Sequence, residues 1–213
     1  MGNAARLVNL AGIAAVLVLN LAGDNARGAA AAGVRTRLVA DSLAGQLLVA
    51  TPQLTDPRFV QTVVYLVRYD ASGAMGLVVN RPLGDVPMAR VLEPLWIDAT
   101  GVSSSIRVHY GGPVERARGL VLHTADYVGE GTLVVNNTMA LTAQPEVLGA
   151  MAAGKGPRLT LFALGYAGWG PGQLDAEIDA GHWITVPSDE GLVFDDDHRS
   201  KWDRAIARRT IKL

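Results

Sequence analysis

The chain has 213 residues, of which 49% are hydrophobic and 18% charged, so it carries ample apolar surface for a substantial core and too little charge for a disordered chain. Lys and Arg number 19 against 20 Asp and Glu, so no global field draws a polyanion and direct nucleic-acid binding gains no support from charge. The absence of Cys removes disulfides, thiolate metal sites, a cysteine nucleophile and a lipidated N-terminal cysteine.

Residues 1–33 read apart from the rest. Arg6 is the only early charge, and an apolar run from Leu7 to Ala22 follows, broken by Asn9 and Asn20. The run is too short and too interrupted for a membrane span, so no transmembrane anchor is expected in the mature chain. The small-residue stretch Gly28 to Gly33 offers A-x-A sites for a signal peptidase, which reads as a leader and predicts an exported, periplasmic or secreted, protein. An apolar tail or a misplaced start on a cytoplasmic protein is the alternative. A single globular domain is expected over 42–213.

Gln46 to Ala50 reads as a short apolar strand, followed by the connector TPQLTDPRF, whose Pro52 and Pro57 keep it out of helix and sheet interiors. Thr62 to Tyr69 and Met75 to Asn80 are rich in β-branched and aromatic residues, and the Asp70–Gly73 turn between them predicts a hairpin. Pro82 is expected to end that ladder, and Val86 to Leu92 to form a short helix. Ile106 to Tyr110 alternates, with Ile106, Val108 and Tyr110 on one face and Arg107 and His109 on the other. It runs into Gly111-Gly112-Pro113. Strands follow at Leu120–His123 and Thr132–Asn136, then a helix over Gln144–Ala153 with Val147, Leu148 and Met151 as its buried stripe. Leu159 to Leu164 predicts a core strand feeding a glycine-rich turn, GYAGWGPGQ, ahead of a helix from about Pro171 to Ala180. On that helix Leu174 and Ile178 face inward while Asp175, Glu177 and Asp179 face solvent. A strand at Trp183–Val186 precedes a final helix with Asp195–Asp197 at its N-terminus and Trp202 pinning it to the body.

The turn from Gly165 to Gln173 stands where backbone N–H groups and a helix N-terminus can hold an anion. The glycines do not follow G-x-G-x-x-G, Pro171 lacks a donor, Trp169 crowds a phosphate, and no P-loop Lys or Ser/Thr follows. A structural turn whose Tyr166 and Trp169 line a groove explains it with less. His123 with Asp126 close behind could form an acid–base dyad, although a hydrogen-bonded structural histidine is the simpler and favoured reading. Asp195-Asp-Asp-His198 resembles a metal cluster only superficially, since helix capping explains adjacent carboxylates, and no metal or other cofactor is expected. Ser103–Ser105 lacks a nucleophile elbow.

Taken together, GQLLVATPQLTDPRF, TVVYLVRY, GAMGLVVNRPL, YGGPV, GLVLHTADY and GYAGWGPGQLDAEI resemble the YqgE/AlgH family of bacterial proteins, in the family's order, from about Ser42 to Arg209. The resemblance implies an α+β fold with a bifurcated mixed sheet folding towards a pseudo-barrel, with about three to four peripheral helices. It implies no established enzymatic activity and a proposed role in transcriptional regulation of exopolysaccharide production. What carries over is a set of signature positions: Asn80, Arg81 and Pro82; Gly111, Gly112 and Pro113; His123; and Gly165, Tyr166, Trp169, Gly170 and Gln173. The chain departs at Thr124, where the family commonly has Ser, and the leader falls outside the match; if it directs export, a transcriptional role does not fit. The expectation is a non-enzymatic binding or regulatory domain in which the signature turns meet around a small ligand or a protein partner. The rivals are an enzyme using His123 and Asp126, with Arg81 holding an anion, and a DNA-binding regulator.

Overall fold

A computed structural model describes residues 42–209, and the expected leader lies outside them. The strands are β1 (Gln46–Ala50), β2 (Val63–Asp70), β3 (Gly73–Val78), β4 (Pro82–Pro87), β5 (Ser105–Tyr110), β6 (Val114–Thr124), β7 (Thr132–Val134), β8 (Met139–Thr142), β9 (Thr160–Trp169) and β10 (Trp183–Pro187). Among the described residues the α-helices are α1 (Met88–Leu92), α2 (Glu146–Ala152), α3 (Gln173–Asp179), α4 (Glu190–Phe194) and α5 (Lys201–Ile206), five where about three to four were expected. None exceeds seven residues. Helices this short do not persist alone, so each is held by the sheet it packs on.

All ten strands join one curled sheet in the order β10-β1-β2-β3-β9-β6-β8-β7, with β5 on β9 and β4 on β5. Every pairing is antiparallel except β5 with β9. The sheet forks along β9. Near its end, Ala167–Trp169 pair with Gly76–Ala74 of β3; nearer its start, Phe162–Leu164 pair with Val108–Tyr110 of β5. Strand β6 runs along the other edge of β9 from Thr160 to Tyr166, while β3 and β5 take successive stretches of the first edge and separate at Gly165–Tyr166.

One face of the sheet gathers Leu47, Val63, Tyr65, Leu77, Leu122, Leu161 and Val186 into a core closed by α4 and α5. The opposite face carries two cores, one of Leu48, Val64, Leu66, Trp169 and Trp183 beneath α3, the other of Val108, Val121 and Phe162 beneath α1 and α2. Strands β1 and β2 are therefore buried on both faces. That is why QLLVA and VVYLV read as continuous apolar runs rather than alternating ones.

Four local expectations need correction. Pro82 does not end the ladder; it starts β4, an outer strand whose first residue needs no N–H donor. Strand β8, MALT, was not expected, because all four residues are buried and the segment shows no alternation. GYAGW is not a turn but the end of β9, leaving only Gly170–Gly172 to connect to α3. The C-terminal helix starts at Lys201 rather than at Asp195–Asp197, and an unexpected helix, α4, precedes it; Asp195 itself is extended (φ −66°, ψ 159°) in the link between the two. Trp202 does pin α5, its indole N–H donating to the Ala50 carbonyl over 2.8 Å.

Candidate functional site

The glycine signatures lie at the fork. Gly111 donates to the Leu164 carbonyl (2.8 Å) and accepts from Val78 N–H (2.9 Å), so this residue links both branches. A side chain there would meet the Gly165 carbonyl oxygen at 2.2 Å, and one at Gly112 would meet the Tyr166 carbonyl carbon at 2.0 Å. Two backbones cross without room for a Cβ, which is what the YGGP and GYAG glycines provide.

The Asn80-Arg81-Pro82 turn reaches the same junction from the other side. The Arg81 carbonyl accepts from Tyr110 N–H at 2.9 Å, joining it to YGGP. Its guanidinium donates to the carbonyls of Arg58 (2.6 Å) and Val60 (2.8 Å). Asn80 accepts from Val63 N–H (3.0 Å) and donates to the Gln61 carbonyl (2.9 Å). Burial lowers the Arg81 pKa from its ordinary value, and the carbonyls it binds supply the acceptors that its part-buried charge needs. The turn thus holds the 51–62 connector in place.

That connector forms one wall of a groove of about 310 Å³, with Leu54, Asp56, Arg58 and Phe59 on one side and Pro113, Val114, Gly168, Trp169, Gln173, Glu177, His182 and Trp183 on the other. Phe59 stacks against Trp169 (6.5 Å between centroids) and meets Trp183 edge-on at 5.6 Å, while the two indoles pack edge-to-face at 5.9 Å. Glu177 fixes both indoles: one carboxylate oxygen accepts from Trp169 Nε1 (3.0 Å) and Trp183 Nε1 (2.8 Å), the other from Gln173 Nε2 (2.8 Å). Arg58 lies over the Phe59 ring at 5.8 Å and pairs with Asp56, whose carboxyl it holds below the usual carboxylate range. The groove therefore has an aromatic floor set by a part-buried hydrogen-bond clamp and a mixed-charge rim.

The signature residues take unequal parts in it. Pro113, Trp169 and Gln173 line the groove; Asn80 and Arg81 brace its wall; Pro82, Gly111, Gly112 and Gly165 belong to the fork and are not ligand-facing. Tyr166 lies off the groove, its hydroxyl donating to Glu115 at 3.2 Å. Gly170 N–H is taken by the Gln173 side chain (3.1 Å) and Gln173 N–H by the Gly170 carbonyl (3.1 Å), so two of the donors ahead of the seven-residue α3 are already occupied. Glu177, expected to face solvent, is instead the clamp, and Phe59 and Trp183 complete the floor. The i, i+4 spacing of Gln173 and Glu177 was the available sequence signal.

His123 is fully buried, and both ring nitrogens are engaged, Nδ1 with the Thr124 carbonyl (2.8 Å) and Nε2 with Thr142 Oγ1 (2.9 Å). Asp126 instead accepts from Arg158 N–H at 3.0 Å. No hydrogen bond joins the expected dyad, and His123 is a structural link between β6 and β8. Among the described residues no three His, Asp or Glu side chains are grouped to hold a metal, and no helix is long and apolar enough to cross a membrane.

Comparison with known proteins agrees with this architecture. The family described as AlgH-like (DUF179) matches residues 47–213. UPF0301 proteins of Rhodospirillum rubrum and Caulobacter vibrioides are each 49% identical, over 169 and 171 residues, covering 79% of this chain and 88% of each relative. The solution structure of AlgH from Pseudomonas aeruginosa superposes with a TM-score of 0.69 at 40% identity, covering 86% of this chain and 95% of that one. A crystal structure of a Corynebacterium diphtheriae protein shares the fold (TM-score 0.60, 21% identity, covering 79% and 87%). The forked, curled sheet and its signature turns are those of the family whose model matches: this chain belongs to the AlgH-like, UPF0301 family.

Proposed function

We propose that this chain is a non-enzymatic binding domain whose aromatic groove takes a short extended peptide segment, an apolar side chain against Phe59 and Trp169 and an acceptor group towards Arg58. The observation that carries the reading is convergence. Motifs about 30 to 90 residues apart in sequence meet at one fork, and what they build or brace there is a groove, with its indoles locked by Glu177 before any ligand arrives. A preset floor lowers the ordering cost of binding, and a strand-end location is where functional loops commonly sit.

The engaged ring of His123 removes the acid–base pair on which an enzymatic reading rested. Balanced charge favours a protein partner over DNA, so a regulatory role would run through protein contact. If the leader exports the chain, that partner is met outside the cytoplasm, and mass spectrometry of the mature N-terminus separates the two settings.

The test is panning of a phage-displayed random heptapeptide library on the full chain, with counter-selection on Arg58→Glu and Phe59→Ala. Arg58 is an exposed rim residue, so its replacement leaves the fold intact. Peptides that bind wild type and lose at least tenfold in affinity on Arg58→Glu support the groove. Enriched peptides that bind both proteins equally, or no enrichment, overturn it.

A further inference from the structure

Gly168 lines the aromatic groove and is the only exposed residue of β9. The direction of its backbone groups follows from the ladder, because successive residues of a strand turn their N–H and C=O to opposite edges. Val79 N–H donates to the Val63 carbonyl on the β2 side (2.9 Å), and Val78 N–H to the Gly111 carbonyl on the other (2.9 Å). Ala74 and Gly76 are an even number of residues from Val78, so they turn their backbone groups to β9, where they stand opposite Trp169 and Ala167. Those two residues are thus engaged with β3. Gly168 lies between them, opposite Met75, and turns its N–H and C=O to the far edge.

On that edge the neighbouring strand has ended. Strand β6 follows β9 only as far as Tyr166, which stands opposite Val114. The residue before Val114 is Pro113, which has no N–H, and Gly112 is pressed against the Tyr166–Ala167 peptide rather than set opposite Gly168. Among the described residues nothing bonds the Gly168 backbone on this side. The alternation itself is switched at Gly165, which is left-handed at φ +73°. Leu164, whose carbonyl accepts from Gly111 N–H, and Ala167 therefore face the same edge although three residues apart.

An N–H and a C=O side by side on an exposed strand edge are what an added strand pairs with. The outer strands β4 and β10 carry Pro82, Pro87 and Pro187, which blunt an edge against such addition. Gly168 has no side chain to bar approach. One residue of an antiparallel segment set opposite it takes both bonds at once. The residue before that one then stands opposite Trp169, its side chain on the face that carries the indoles. Main chain and aromatic floor are therefore met by adjacent residues of one extended segment.

We propose that the groove takes its peptide by strand addition, an extended segment pairing antiparallel with Gly168 in the place beyond the end of β6. This rests on the peptide-groove reading above and adds that recognition runs through the ligand's main chain. The test uses the full chain labelled with nitrogen-15, the peptide acetyl-Thr-Val-Phe-Val-Thr-amide and its singly N-methylated forms. In the free chain the Gly168 N–H should exchange with solvent at least about tenfold faster than those of Ala167 and Trp169, and the peptide should slow it by a similar factor. Methylating the amide of the valine that follows phenylalanine should weaken binding about tenfold or more, because it blocks the bond to the Gly168 carbonyl. Methylating the phenylalanine amide, which faces away from β9, should change binding less than about threefold. Strand addition is overturned if the two methylations act alike, if Gly168 N–H is already as protected as its neighbours in the free chain, or if the parent peptide does not bind. Panned heptapeptides that still require Arg58 would in that event leave the groove reading standing on side chains alone; without them both readings fall.

Discussion

Replacing Lys201 with Met removes an ammonium that is completely buried. Its Nζ donates to the carbonyls of Val79 (3.2 Å), Val193 (2.8 Å) and Asp195 (3.2 Å), with an Asp195 carboxylate oxygen 3.6 Å away, so one side chain ties α4 and α5 to the end of β3. The Val79 and Val193 bonds are buried; that to Asp195 is only partly so. Two buried carbonyls left without donors cost roughly 2–6 kcal/mol together, at about 1–3 each. Against this, burial lowers the Lys201 pKa from 10.5 to about 8, so the wild-type ammonium carries a penalty of about 3 kcal/mol that Met avoids. The net expectation at pH 7 is a loss of only about 1 kcal/mol, the middle of a range of roughly −1 to +3. Alkaline pH sharpens the test. Between pH 8 and 10.5 the unfolded lysine holds its proton and the folded one has released it, so wild-type stability rises relative to the variant by up to about 3 kcal/mol. Urea unfolding followed by tryptophan fluorescence at pH 7, 8.5 and 10 measures both quantities. A gap between wild type and variant that stays constant or narrows as pH rises refutes the reasoning.

Three further outcomes follow from the geometry. Gly112→Ala should cost more than about 3 kcal/mol, because its Cβ would stand 2.0 Å from the Tyr166 backbone at φ +154°, whereas Gly154→Ala, in open space at φ +68°, should cost about 1 kcal/mol; thermal unfolding that finds the two equal contradicts the fork's packing. Arg81→Lys loses the two-pronged grip on the Arg58 and Val60 carbonyls, so trypsin should cut after Arg58 at least several-fold faster than in wild type, read by mass spectrometry, and an unchanged rate would show the connector is braced otherwise. The His109 pKa is lowered from 6.5 to about 4, first by burial, so as pH falls through that window the unfolded state takes the proton first and stability drops by about 3 kcal/mol. His109→Phe should lack that loss, and parallel slopes for the two proteins in urea unfolding at pH 7 and 4.5 would count against a neutral buried ring.

Much of the framework was legible because local chemistry and final structure agree. The runs Gln46–Ala50 and Val63–Tyr69 are strands on β-propensity alone, and the Asp70–Gly73 turn leaves little alternative to a hairpin. What failed did so for identifiable reasons. Strand β8 shows no alternation because it is buried throughout, and Pro82 was read as a stop when an outer strand tolerates it. The glycines of GYAGW looked like a turn because single-residue conformational freedom is visible in a sequence, whereas the backbone crossing that demands it is not.

The sequence by itself determined the strand-rich α+β class, the hairpin, the buried helix stripes and the motifs that mark the family, since each follows from spacing and residue type over a few positions. Only the tertiary structure decided that Glu177 turns from solvent to clamp two indoles, that His123 is spoken for by threonines, and that His109 and His198, 89 positions apart, pack edge to face. Those outcomes depend on the fork at Gly165 and the fold-back at Asp195. Long-range backbone geometry sets them, and no local pattern records it.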